Sequence, residues 1–340
     1  MQQRRGFTLV EGGFAAAAVS LLVCLGLVPM QPEPSKQDKP AARPEQDGKQ
    51  ERPRRYKPGQ PEKTDEPRET GENGALLVAP TVSALSKARA SARQIKCATM
   101  VRGISQGLIM FAQGNEDSYP RPSRLDKENT TINAAAHEKD TTDNIISVMI
   151  YNGFFGPELC VTPAEVNKNI KMMKDYAYAS PASAATPQQA LWDPAFNADF
   201  TSPDGGHLSY AHLMPSRSRR HIWTNSFSST EAAVGNRGPR IEALERRAER
   251  DVPVLPEKSH TYRIHGANST WEGNVAFNDN HVEFMTTMYA PGAEYLDPER
   301  VKKPDNFFYD ENDDPADSNL VLGIYTRAGI TTDHFKGIWD

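Results

Sequence analysis

Apolar positions divide the chain into stretches of different character. They are nearly continuous from Phe7 to Val28, about the 20-residue length that spans a hydrocarbon core. Glu11 interrupts the run. A carboxylate in such a segment costs roughly 2.5–3.5 kcal/mol on insertion scales, so it is expected to serve a purpose. Residues 31–74 change abruptly to prolines and mixed charges with almost no large apolar side chain. That composition buries too little surface to offset chain entropy and predicts a disordered tether, extended by its prolines to about 3.1 Å per residue.

Periodicity returns at Thr81. Leu85, Ala88, Ala92, Ile95, Ala98, Val101, Ile104, Leu108 and Phe111 recur at intervals of three and four, which predicts one amphipathic helix from Thr81 to Gln113. Lys87, Arg89, Arg93, Lys96 and Arg102 fall mostly off this stripe. They read as a solvated basic face or as a surface for acidic partners. Gly114 and Asn115 supply the stop.

Further on, Thr142–Phe155 predicts a second helix, and Pro163–Asp175 a short one. Ala177–Ala190 reads as a surface loop and Leu208–Ala211 as a strand. Ser216–Arg220 reads as a basic surface loop, and Ile241–Arg250 as a charged, exposed helix. Near residue 280, Val275 and Phe277 share one strand face, as do Val282 and Phe284. Asp279-Asn280 between them predicts a two-residue hairpin turn, because both tolerate positive φ. The apolar face of the hairpin is expected to pack on the long helix.

Three stretches resemble known proteins. Arg4-Arg5-Gly6-Phe7-Thr8-Leu9-Val10-Glu11 resembles a type IV prepilin leader. The resemblance implies cleavage after Gly6 by a prepilin peptidase, N-methylation of Phe7, and a role for Glu11, the fifth residue of the mature chain, in subunit assembly. In a stack of subunits that carboxylate neutralises a neighbour's N-terminal amine inside an apolar bundle. A plain secretory signal also has basic residues and an apolar core, but does not normally carry an acid there. A twin-arginine signal fits Thr8 and Glu11 poorly, and a lipoprotein site at Cys24 is opposed by the bulk of Val23.

Leu85-Ser86-Lys87-Ala88-Arg89 through Tyr119-Pro120, and His265 through Phe284, are similar to planctomycete-type pseudopilin-like proteins. In most of these the membrane helix runs directly into the second helix; here the tether intervenes. The resemblance covers roughly residues 4–28, 83–122 and 262–286. It implies an α+β protein: a leader and transmembrane helix (1–30), a tether (31–74), a pilin-like head with one long helix on an antiparallel sheet (75–290), and a C-terminal extension (291–340).

Arg4 and Arg5 favour a cytoplasmic N-terminus, hence a single pass through the inner membrane and a periplasmic or extracellular head. The implied partners are the peptidase, other pilin-like subunits or secretion machinery, and the membrane. Two functions follow: a subunit of a cell-envelope filament or type II secretion-like apparatus, or a membrane-tethered binding head that does not polymerise.

Composition narrows the chemistry. The 340 residues carry 39 Lys and Arg against 44 Asp and Glu, a net charge of −5, which offers no global attraction to nucleic acid. Three cysteines are too few for a disulfide scaffold. Cys24 lies in the apolar run. Cys97 and Cys160 either pair in an oxidising compartment or remain two buried thiols. Asp310, Asn312 and Asp314 alternate like the first ligands of a calcium loop, without the glycine and closing glutamate of an EF-hand; the other reading is a solvated acidic turn. Some pseudopilins bind calcium in a C-terminal loop. His260, His265 and His281 match no zinc spacing, and His265 reads as a structural donor. Asp204-Gly205-Gly206-His207 is a turn. No nucleophile motif, phosphate loop or dinucleotide fingerprint is present, so no enzymatic activity is expected.

Overall fold

The sheet-backed half of one long helix organises the fold. In the computed structural model, which describes residues 74–247, 250–266, 268–297, 299–311 and 319–340, α1 runs from Gly74 to Gln113. Its C-terminal half is core: Cys97, Met100, Val101, Ile104, Leu108, Phe111 and Ala112 are buried. Its earlier turns are not. Leu85 is 51% exposed and Ile95 65%, so the apolar stripe is buried only from Cys97 onward. The helix stops at Gln113 because the Asn115 side-chain amide and the Gly114 N–H both donate to the Phe111 carbonyl, at 2.7 and 3.1 Å. Glu116 and Asp117 then take left-handed φ of 54°, turning the chain back.

Two glycines let a second layer approach α1. A Cβ on Gly103 would lie 2.7 Å from a Leu159 methyl, and one on Gly107 2.8 Å from the Phe155 ring. Gly107→Leu therefore overpacks the contact and is expected to lower the unfolding free energy by about 1–3 kcal/mol. Met110→Ala, on the exposed face, should stay within about 0.5 kcal/mol. Urea unfolding of the two variants makes the comparison; equal losses would mean that α1 does not pack through Gly107.

Two short helices follow, α2 (Pro122–Leu125) and α3 (Thr142–Tyr151). α3 is buried along most of its length. It is tied to the sheet where Thr142 Oγ1 accepts from the Tyr325 N–H at 2.7 Å and bonds His212 Nε2 at 2.8 Å. The Trp192 indole donates to Asn144 Oδ1 at 2.9 Å.

There are ten strands among the described residues: β1 (Tyr210–Leu213), β2 (Ala232–Asn236), β3 (Ala243–Arg247), β4 (Arg250–Val254), β5 (Gly273–Phe277), β6 (Val282–Met285), β7 (Tyr289–Leu296), β8 (Lys302–Asn306), β9 (Leu322–Arg327) and β10 (Lys336–Ile338). Six form an antiparallel sheet in the order β10-β9-β1-β2-β5-β6; β3–β4 and β7–β8 are separate two-stranded ribbons. The described chain is thus mixed helix and antiparallel sheet, with α1 packed on β2, β5 and β6. Residues 291–340, expected as an extension, supply two of the six sheet strands, since β9 pairs with β1 at Leu213↔Leu322.

Several expectations are corrected. Ile241–Arg250 is not an exposed helix: its backbone enters the ribbon β3–β4, with Ala243 opposite Val254 and Arg247 opposite Arg250. Pairing partners beyond the stretch, Val252 and Val254, override its local helix preference. Pro163–Asp175 forms no helix; Glu165 accepts from the N–H groups of Val166 and Asn167, and Lys171 N–H donates to Gly206 O at 2.9 Å. Ser216–Arg220 is not a surface loop, because Ser216, Ser218 and Arg219 are buried.

The β5–β6 hairpin exists, but its loop has three residues. Asn280 N–H donates to Phe277 O at 2.8 Å, Phe277 N–H donates to His281 O at 3.1 Å, and Asn280 takes the left-handed φ of 67°. The longer loop shifts the register by one. Ala276 faces Val282 and Asn274 faces Phe284, so Val275 and Phe277 lie on the opposite face from Val282 and Phe284. The face with Asn274 meets α1, through a bond to Gln94 O. Phe277 points the other way, its ring 6.4 Å from Phe307.

Among the described residues no helix is long and apolar enough to cross a membrane. The run Phe7–Val28, the tether through residue 73, and Gly6, Phe7 and Glu11 lie outside the described residues.

Candidate functional site

The most distinctive chemistry lies where the ribbon β3–β4 meets the ribbon β7–β8. Lys302–Asn306 turns inward at its end, where Asp305 and Asn306 are buried, and Phe307-Phe308 follow directly, both buried. Anchoring these rings in the core carries Asp305 inside with them, where it is fully buried. Its Oδ2 accepts from Leu320 N–H at 2.8 Å, while Oδ1 has no partner among the described residues. Glu311 follows five residues after Asn306; its Oε1 accepts from Asn306 N–H at 3.2 Å, and its Oε2 is buried without a partner among the described residues.

Burial pushes Asp305 up to about 8, with the Leu320 N–H and Arg219 pulling part of the way back. Burial and then the neighbouring Asp305 push Glu311 up to about 9. Water is withdrawn from both, and neighbouring acids, Asp310 for Asp305 and Asp305 for Glu311, disfavour their charge further. At neutral pH the pair holds protons.

Glu311 also lines a cleft of about 340 Å³ with Leu244, Asp251, Tyr289, Tyr295 and Lys303. Tyr289 Oη donates to Asp251 O at 2.9 Å, joining β7 to β4. Lys303 Nζ bridges Asp251 at 3.3 Å and Asp297 at 3.1 Å. The cleft offers two tyrosine faces, one cation already paired, and a neutral carboxyl at its edge. That inventory binds small polar or aromatic groups and lacks a nucleophile–base pair.

The calcium expectation meets this region. Of Asp310, Asn312 and Asp314, only Asp310 is described; Asn312 and Asp314 lie outside the described residues. Asp310 Oδ1 accepts from Arg219 Nη2 at 2.6 Å and from Asn319 Nδ2 at 3.2 Å. It is thus engaged by a buried guanidinium, which also donates to Asn319 O at 2.7 Å. Among the described residues no group of three or more His, Cys, Asp or Glu is arranged to hold a metal ion.

Cys97 and Cys160 are both buried and both free, so the disulfide expectation is not met. Cys97 Sγ lies 3.9 Å from Tyr210 Oη and 3.4 Å from Asn236 Oδ1. Burial pushes the Cys160 thiol well above its ordinary range, which keeps it protonated and unreactive. The histidines are dispersed. His281 Nδ1 bonds Asp279 at 2.5 Å and its ring stacks on Phe277. His260 Nδ1 bonds Asp340 at 2.5 Å. His265, read as a donor, has a buried Nε2 with no partner.

Sequence reading missed Asp305, Glu311 and the tyrosine cleft. The available signal was Asp305-Asn306 set directly against Phe307-Phe308, a polar pair that apolar neighbours would draw inward. A comparison of the chain with protein-family models, with curated proteins and with solved structures gives no match.

Proposed function

We propose that the protein is a pilin-like or pseudopilin-like subunit of a cell-envelope filament or type II secretion-like apparatus, cleaved after Gly6 and methylated at Phe7. The observation that carries this reading is the division of α1. Its C-terminal half is the spine of an antiparallel-sheet head, and its earlier turns expose Leu85 and Ile95. A helix that leaves its own domain with apolar side chains uncovered suits burial among neighbours. The leader residues Gly6, Phe7 and Glu11 support the same reading. In it, the peptidase, further subunits and the inner membrane are the partners, and the head is extracytoplasmic.

A second reading has its own support. The 340 Å³ cleft with Tyr289 and Tyr295 suits a membrane-tethered head that binds a ligand and does not polymerise. Crosslinking in membranes separates the two. Glu11→Ala should abolish most higher-order crosslinked species if Glu11 neutralises a neighbour's amine. An unchanged yield, together with an intact Met1 by mass spectrometry of the mature chain, would leave the tethered head as the function. An N-methylated Phe7 is the result expected.

A further inference from the structure

The basic residues of α1 do not all face open solvent. Lys87, Ser91 and Gln94 lie on successive turns of one helix face, and Arg93 flanks them. Across a cavity of about 410 Å³ from these side chains stand Arg263, at the end of the 3₁₀ segment His260–Arg263, and His265 in the turn that follows. No carboxylate lines the cavity. Among the described residues none of Lys87, Arg93 and Arg263 has a carboxylate at ion-pairing distance.

We infer that this pocket binds a phosphate-class oxyanion, carried by a soluble phosphomonoester or by an anionic phospholipid headgroup. Three cations, Lys87, Arg93 and Arg263, line it with no acid among the lining residues, and Ser91 and Gln94 add neutral donors. A multiply charged oxyanion meets that set with several charge-assisted bonds at once, and a guanidinium presents two parallel donors to it. His265 supplies an independent sign. Its ring sits edge-on to Phe284 at 5.9 Å, and Nε2 is buried without a partner. Burial and then the nearby Arg93 hold it down at about 4, so the ring is neutral at pH 7. An oxyanion in the cavity offsets the Arg93 charge beside this ring. Backbone shape contributes too. A Cβ on Gly266 would lie 2.2 Å from Thr270 O and 2.8 Å from Tyr262 O, so glycine lets this wall of the cavity fold tightly on itself. The inference does not depend on assembly: a lone subunit has the whole pocket.

The test is calorimetric titration of the full chain in neutral detergent with inorganic phosphate, at fixed ionic strength. Saturable binding is expected. Arg93→Gln and Arg263→Gln should each weaken it by roughly 10-fold or more, as loss of a charge-assisted bond does. Arg89→Gln, a cation of the same helix outside the cavity, should change it by less than about 2-fold. Competition by glycerol phosphate but not by short-chain phosphatidylglycerol assigns a soluble phosphomonoester. Competition by the short-chain lipid assigns the headgroup. Absence of saturable phosphate binding overturns the proposal. So does an equal loss in Arg89→Gln, which would mean general attraction to a basic helix. All three substituted residues are exposed, so the variants fold.

Discussion

Arg237→Met should destabilise the head by about 3–5 kcal/mol, the range for breaking a buried ion pair from one side. That corresponds to a fall in Tm of roughly 6–20 °C for a domain of this size. Arg237 is buried at the end of β2 and donates to both oxygens of Glu165, with Nη2 to Oε1 at 2.8 Å, and to Asp340 Oδ2 at 2.7 Å. Its guanidinium lies 5.4 Å over the Phe200 ring. Burial works against the charge, and the Glu165 and Asp340 carboxylates more than restore it. Removing the guanidinium leaves two carboxylates, at 6% and 8% side-chain exposure, with their strongest partner gone. Ser209 Oγ still donates to Glu165 at 2.7 Å, which limits the loss.

The cost belongs to the uncompensated charges, not to the pair as such. Arg237→Met combined with Glu165→Leu and Asp340→Leu should therefore recover much of the stability. If the single variant unfolds at the wild-type temperature, or the triple variant is worse by the sum of its parts, the network is not the clasp described here.

Stability should also fall as pH rises, and Asp305 with Glu311 should account for a separable part of the fall. Their folded values, about 8 and about 9, lie above the ordinary carboxylate range near 4. Between the two ranges the native state holds protons that the unfolded chain has released. The contribution to stability is full at acidic pH and is lost as pH climbs through 8 to 9. Each pH unit over which one proton separates the two states is about 1.4 kcal/mol. A difference on the order of a few kcal/mol is thus expected between pH 5 and pH 9.

Asp305→Asn with Glu311→Gln carries no such protons. Its stability relative to wild type should rise steadily over that interval. Chemical unfolding at several pH values reads the difference directly. Parallel profiles for the two proteins would mean that the carboxyls ionise normally.

Much of the architecture was legible. The three-and-four spacing located α1, and its stop at Gly114-Asn115 matches a helix ending at Gln113. Thr142–Phe155 is observed as α3, slightly shorter. The hairpin after Gly273 was placed by its turn residues. Its register was not, because Asn280 rather than a two-residue turn sets the geometry, and a single residue of slip exchanges the two faces. The ribbon β3–β4 was hidden for another reason. Glu242, Glu245, Arg246 and Arg247 suit a helix locally, and the pairing that defeats the helix is made with residues further along.

The candidate sites were less legible than the elements. A basic face on α1 can be read from spacing, but a pocket needs its opposite wall. Arg263 and His265 reach α1 across a separation that no local pattern records. Arg237 meets Glu165 across 72 positions and Asp340 across 103, and nothing in the spacing of three unlike charges marks them as partners.

Sequence by itself determined the local elements: where helix and hairpin form, and where the apolar run and the proline-rich stretch fall. These depend on neighbours a few positions apart, whose sterics and periodicity are written in order along the chain. Tertiary structure alone decided which half of the α1 stripe is buried, that Cys97 and Cys160 stay apart as thiols, and that Asp305 and Glu311 are neutral. Burial and charge are set by what folds over a residue, and those atoms come from anywhere in the chain.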